Sequence, residues 1–191
     1  SPFPAGYFIA DGNGSDVITS LSIGENGEVF MAGFSYSFSF TLGNFALKSG
    51  IVVAKFDSAG NVVWAKNGGS YFDEAYAVTG NSNGSIIVSG YYDVDNMVLD
   101  SITLLNAGGL DAFIAKYDSD GAVVWAKRIG GSEDDEATGL ASDAEGNIYM
   151  SGYFESDTIF IGGNEFVSAG SDDFFLVKYD SEGNVKWAKC F

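Results

Sequence analysis

An all-β fold of three repeated four-stranded units is what this sequence predicts, and three observations predict it. The phrase Trp-Ala-Lys occurs three times, and its tryptophans, Trp64, Trp125 and Trp187, are the only ones in the chain, 61 and 62 positions apart. A fixed period of that size marks stacked supersecondary units; a sandwich has no reason to repeat its sequence. The apolar runs are four to eight residues long, rich in Val, Ile, Phe and Tyr, and bounded by Gly, Asn, Asp and Ser, the signature of strands and hairpins. No window holds a sustained apolar pattern at helical spacing.

Aligned on the tryptophans, the units run from about Ala10 to Lys66, Asn67 to Lys127 and Arg128 to Phe191. Each opens on a Gly-rich acidic segment, "DGNGSD", "GGSYFDEA" or "GGSEDDEA", and enters a first strand in "VITSLSI", "AYAVTGN" or "ATGLASD". A turn leads to the second strand, "ENGEVFMAGF", "SNGSIIVSGY" or "AEGNIYMSGY". A variable middle follows and reads as an extra hairpin, with Phe38, Phe40 and Leu42 alternating in the first unit. Each unit closes on a third and fourth strand, as in "FLVKYDSEGNVKWAK". There Asp180 and Ser181 suit a tight turn, and Gly183 accepts a positive φ without steric cost. Strict alternation then places Val185, Trp187 and Lys189 on one face and Lys186 and Ala188 on the other.

Four strands per unit at this period fit a β-propeller blade, lengthened beyond the common repeats of about 40–50 residues by the extra hairpin. A β-solenoid repeats at a much shorter period. The segments "GGSEDDEATGLASDAEGNIYMSGYF" and "FVSAGSDDFFLVKYDSEGNVKWAK" resemble the bacterial β-propeller repeat family named for a seven-bladed propeller. Its members repeat Gly-Gly…Asp, Asp-x-x-Gly-Asn-x-Tyr-x-x-Gly and Asp-x-Phe-x-x-Lys-x-Asp…Gly-Asn…Trp. The likeness covers almost the whole chain and is weakest in the first unit, where Asp11-Gly12 replaces the Gly-Gly pair and Ile51 stands near the usual Asp. The resemblance implies a propeller fold in a secreted or surface protein of bacteria, so an extracellular or cell-surface location is expected. It implies little about activity, because a scaffold does not fix a function.

A net charge of −17 argues against nucleic acid or anionic lipid as partner. No apolar run approaches the roughly 18 residues that span a bilayer, so no membrane insertion is expected. The opening "SPFPAGYFIA" lacks the basic start and long apolar stretch of a signal peptide. Histidine is absent, which removes Ser-His-Asp and Cys-His catalysis and the usual zinc sites. Cys190 is the only cysteine, so it forms no intrachain disulfide.

Within the repeat, Asp16, Asp73 and Asp135 share one position, and Glu74 and Glu136 follow in two of the three units. Equivalent positions of a propeller lie on a ring, so these carboxylates read either as oxygen ligands for calcium or as acceptors for backbone N–H groups of the loop. Asp118–Gly121 lacks the remaining positions of a calcium loop and reads as a turn. Lys55, Lys116 and Lys178, with Lys66, Lys127 and Lys189, suggest structural pairing with repeat carboxylates. The aromatics after the second strand are Phe34, Tyr36, Tyr91, Tyr92, Tyr153 and Phe154. Exposed on a rim they would stack on sugar faces; buried they are core. Trp64, Trp125 and Trp187 are expected to pack each blade against its neighbour, with Trp125 costing about 3–5 kcal/mol on truncation.

Three units are fewer than the about four to eight blades of closed propellers. Tyr7–Ala10 is in register with the Trp-Ala-Lys strand and reads as the last strand of a preceding or shared blade. The expected architecture is therefore an open arc or part of a closed propeller, whose ends call for self-association or for further blades of a longer chain. Enzyme sites are usually asymmetric, and no lone constellation stands outside the repeat. The functional expectation is a non-enzymatic extracellular structural, self-assembly or adhesion scaffold. A carbohydrate-binding module using the rim aromatics is the alternative, and a polysaccharide-active enzyme using two of the many carboxylates is the second.

Overall fold

The computed structural model describes residues 12–81, 83–93 and 96–191; Tyr7–Ala10 lies outside them. The first unit holds β1 (Asp16–Ile23), β2 (Val29–Ser35), a small hairpin of β3 (Phe40–Leu42) and β4 (Phe45–Leu47), then β5 (Gly50–Phe56) and β6 (Val62–Gly68). The second repeats this as β7 (Glu74–Gly80), β8 (Ile86–Tyr92), β9 (Asn96–Leu99), β10 (Ile102–Leu105), β11 (Asp111–Tyr117) and β12 (Val123–Ile129). The third comprises β13 (Asp135–Ser142), β14 (Ile148–Phe154), β15 (Thr158–Ile161), β16 (Asn164–Val167), β17 (Asp173–Tyr179) and β18 (Val185–Cys190). The large sheets run β1-β2-β5-β6, β7-β8-β11-β12 and β13-β14-β17-β18, antiparallel throughout, and each inserted hairpin forms a two-stranded sheet of its own.

Turn chemistry makes these meanders. Glycines at both tight turns of every blade (Gly27, Gly60, Gly84, Gly121, Gly146 and Gly183) have φ between 77° and 84°, a left-handed conformation that costs glycine nothing. In the outer turn a carboxylate organises the loop: Asp118 Oδ1 accepts from the N–H groups of Asp120 and Ala122, both at 2.9 Å. Asp57 and Asp180 do the same in their blades.

A β-bulge in each outer strand overturns the expected facing of the closing strand. Tyr179 pairs with Val185 and Lys178 with Trp187, so Lys186 is the extra residue. Val185 and Trp187 therefore fall on opposite faces of the sheet, as do Val62 and Trp64, and Val123 and Trp125. The bulge lets one short strand serve two cores: Val62 packs beside the blade's own hairpin, while Trp64 joins the core shared with the second blade.

Adjacent blades pack face to face. Phe30, Ile51, Val53 and Trp64 of the first meet Val88, Phe113 and Tyr117 of the second. Ile87, Ile114 and Ile129 of the second meet Met150, Phe175 and Val177 of the third. The second and third inserted hairpins lie inside these seams: Met97, Leu99 and Leu104 of β9–β10 belong to the first shared core, and Ile159 and Ile161 of β15 to the second, whereas β3–β4 packs on its own blade, on the face turned away from the second. Inner strands of adjacent blades are tied as well, the N–H groups of Val78 and Gly80 donating to Ser20 Oγ and Ser22 Oγ at 3.1 and 3.2 Å.

The tryptophan braces each blade to the next. Trp64 Nε1 donates to the Ser119 carbonyl at 3.0 Å, and Trp125 Nε1 to the Ser181 carbonyl at 3.4 Å. Each indole covers the glycine of the turn it reaches, Gly121 and Gly183. Trp187 departs from the expectation of a buried structural residue. It is 38% exposed, against 5% for Trp64, because the described chain offers no fourth turn to receive it. The alternation expected in the first insertion also holds only in part: Phe40 and Leu42 are buried, whereas Phe38 precedes β3 and is exposed.

Candidate functional site: a tyrosine–glutamate belt across three blades

The cross-strand register builds the belt. Glu74 on β7 stands opposite Tyr91 on β8, and Glu136 on β13 stands opposite Tyr153 on β14. Tyr36, just beyond β2, reaches across the seam and donates its hydroxyl to Glu74 Oε1. Tyr76 lies against Tyr91 edge to face, with centroids 5.4 Å apart. Tyr36 also stacks on Tyr71 at 5.0 Å, and Tyr71 meets Phe72 edge-on at 4.9 Å. Glu74 and Glu136 thus sit among tyrosines contributed by all three blades. Desolvation, then hydrogen bonding with the carboxylates and one another, raises the phenols of Tyr36, Tyr91 and Tyr153, and desolvation pushes Tyr76 up to about 12. Burial first, then the neighbouring carboxylates including Glu74, raises Glu136. At neutral pH the tyrosines are neutral, and their hydroxyls serve as donors to the glutamates.

Two of the rim aromatics expected from sequence do not belong to this surface. Tyr92 and Phe154 are fully buried in the blade cores, because they sit one residue beyond Tyr91 and Tyr153 and alternation turns them inward. The Tyr92 hydroxyl is spent on the Leu105 carbonyl at 3.1 Å. Conversely, Tyr71, Phe72 and Tyr76 belong to the aromatic surface and were not singled out by the repeat. They stand in or just after the acidic entry of one unit alone, so no periodicity signals them.

Each repeat aspartate is turned into its own blade. Asp16 accepts from the hydroxyls of Ser35 and Ser37. Asp73 accepts from Ser70 N–H at 2.6 Å and Asp93 N–H at 2.9 Å, and Asp135 from Gly131 N–H and Ser156 Oγ, both at 2.7 Å. Among the described residues, no three His, Cys, Asp or Glu side chains come together as a set able to hold a metal ion. The geometry of Asp16, Asp73 and Asp135 is that of latches joining the start of the first strand to the end of the second. The lysines divide: Lys55 pairs with Glu28 at 2.9 Å and Lys178 with Asp143 at 3.7 Å, whereas Lys116 donates to the Ser181 carbonyl of the next blade at 2.8 Å.

Two of these latches, together with Asp111 at the start of β11, which accepts from Ala107 N–H at 2.6 Å and pairs with Arg128 at 3.4 Å, give stability a pH signature. Asp73, Asp111 and Asp135 are raised chiefly by desolvation, Asp135 from 3.8 to about 6. For a carboxyl raised on folding, the burial penalty is present in full above the folded pKa, fades as pH falls, and is gone below the unfolded pKa. The turn carboxylates of Asp57, Asp143 and Asp180 are lowered by their hydrogen bonds with Asn61, Asn147 and Asn184, so their stabilisation is lost only as pH falls below 3.8. The melting temperature is therefore expected to rise from pH 7 to pH 5 and to drop in stronger acid. A steady fall between pH 7 and 5 in a melt series at fixed ionic strength would contradict this.

Two open clefts of about 620 Å³ flank the blades. One lies among the loops of Ser70, Asp93, Asn96 and Asn106; the other spans the opposite turns, at Glu25, Asn83, Lys116, Asp143 and Glu182. Neither the repeat aspartates and glutamates nor the rim aromatics expected from sequence line either one; of the repeat lysines, Lys116 lines the second.

A family model described as a beta-propeller repeat matches residues 124–153, which run from the Trp125 strand through the bulged inner hairpin to Tyr153. Those residues match one β-propeller repeat, and the three sheets share one strand order. The chain is similar to an uncharacterized WD repeat-containing protein of Acanthamoeba polyphaga mimivirus, 33% identical over 119 residues, which are 54% of this chain and 9% of that protein. It is also similar to the regulatory protein FlaEY of Caulobacter vibrioides, 28% identical over 141 residues, 72% of this chain and 15% of that one. The propeller blades described here thus span a small part of the length of either relative.

Proposed function

We propose that these blades form a non-enzymatic, extracellular propeller scaffold that works through assembly or adhesion. The observation that carries this reading is the chemistry of the two outward faces. In a chain of net charge −17, the first blade presents Ile18 and Leu21, each 60% exposed, and the third presents Phe174, Trp187 and Phe191, also exposed. Contiguous apolar surface on an otherwise acidic protein marks a place where protein is covered by protein. The WD-repeat name of one relative and the regulatory name of the other agree with a role in protein contacts. The carboxylates of the repeat are engaged in holding loops and tyrosines, which supports a structural use of them over hydrolysis.

Light scattering behind a sizing column, over a range of concentrations, tests the reading. A defined species heavier than the 20.1 kDa chain is expected, and a monodisperse monomer at every concentration would reject assembly. Repeating the run with calcium and with chelator tests whether any cation contributes; the latch geometry leads us to expect the same mass in both.

The stacked Tyr36–Tyr71 pair favours a second reading, a carbohydrate-binding surface on the belt. Glycan-array signal abolished in Tyr71→Ala and Phe72→Ala variants would support it, and silence across glycans would remove it.

A further inference from the structure

Three turns and three tryptophans recur in this chain, but among the described residues two pairs of them meet. Trp64 seats on the Asp118–Gly121 turn and Trp125 on the Asp180–Gly183 turn, each donating to the serine carbonyl there. A Cβ built on Gly121 would fall 2.8 Å from Trp64, and one on Gly183 would fall 2.9 Å from Trp125. The remaining halves are unmatched. At Gly60, with the same positive φ of 84°, a Cβ would meet none of the described residues within 4 Å, and Trp187 is 38% exposed.

We propose that a second copy of this chain docks head to tail on the first, seating its Trp187 on the Asp57–Gly60 turn and donating to the Ser58 carbonyl. This rests on the assembly reading above and names the seam. The contact continues an interface the chain already makes twice, so its geometry is set by the fold. The surroundings agree. Phe174 and Leu176 occupy the positions of Ile51 and Val53, and of Ala112 and Ile114, all facing the following blade. Ile18 and Leu21 occupy the positions of Ala75 and Val78, which face the preceding blade. Phe174, Ile18 and Leu21 are exposed for want of the opposite half. Such a seam is heterologous: two different patches meet, and copies either close a ring or continue as a filament.

Two variants test the seam from its opposite sides. Trp187→Ala removes the indole. Gly60→Asn fills its seat, and Asn tolerates a positive φ, so the isolated chain keeps its turn. Association of wild type and variants is followed by light scattering against concentration, with the melting temperature of dilute chain as a control on folding. Each variant is expected to shift association to concentrations higher by about tenfold or more, as for a central aromatic anchor, while the dilute melting temperature barely moves. Wild-type assembly that neither variant weakens would overturn the seam and leave the assembly reading standing. A wild type that stays monomeric would overturn both, and would assign these faces to another protein or to blades elsewhere in the polypeptide.

Discussion

Trp64→Ala is expected to cost about 3–5 kcal/mol of folding free energy, which for a chain of this size lowers the melting temperature by roughly 6–20 °C. The indole is 5% exposed, donates to the Ser119 carbonyl at 3.0 Å and stacks over Tyr117 with centroids 6.2 Å apart. Truncation removes this packing and opens a cavity at the seam between two blades, where neither sheet can collapse without leaving its partner. The same substitution at Trp187 is expected to cost less than about 1 kcal/mol in dilute chain, as for a surface side chain with few partners. Trp125 is half-buried and belongs between them. Urea unfolding of the three variants decides the matter: equal losses would mean that the tryptophans stabilise their own sheets and not the seams.

Gly90→Ala is expected to cost about 3 kcal/mol, the upper end for overpacking. Gly90 lies opposite Ala75, where β7 bulges before Ala77. A Cβ there would sit 1.9 Å from the Glu74 carbonyl oxygen, so backbone has to move. Gly33 and Gly152 occupy the same place in the other blades, with the carbonyls of Val17 and Glu136 at 2.0 Å. Displacing the Glu74 peptide also shifts the carboxylate that Tyr36 binds, so loss of stability should accompany disorder of the belt. Gly170→Ala is the control, since its nearest neighbour would be Asp173 at 3.9 Å. Matching unfolding curves for the two variants would refute the steric argument.

The strands, their order and the inserted hairpins were legible because turn glycines and aspartates recur at fixed places, and a turn is a local object. The tryptophan brace was legible as packing between blades for the same reason. What alternation misread has a local cause too: a bulge adds one residue and flips everything after it, and nothing in "GNVKWAK" separates a bulged strand from a regular one. Tyr91 and Tyr92 show the same difficulty, two adjacent tyrosines of which only the register decides which is buried. The belt was legible only as fragments. Tyr36 and Glu74 lie 38 residues apart and in different blades, a proximity that depends on how blades stack and that no single repeat carries. The inequality of the three tryptophans likewise follows from position in the stack, which identical phrases cannot express.

The hairpins set between the sheets have a geometric consequence. β9 touches the outermost strand of the first blade and β10 that of the second, while the inner strands of the two blades meet directly. Each seam is therefore thicker at its outer margin than near the axis, like the stones of an arch, and that taper sets the angle through which one blade turns to the next. A bulkier insertion widens the angle and lets fewer blades complete a circle; a slighter one flattens the arc and demands more. The curvature of the whole is thus written in the segments where the three repeats resemble each other least.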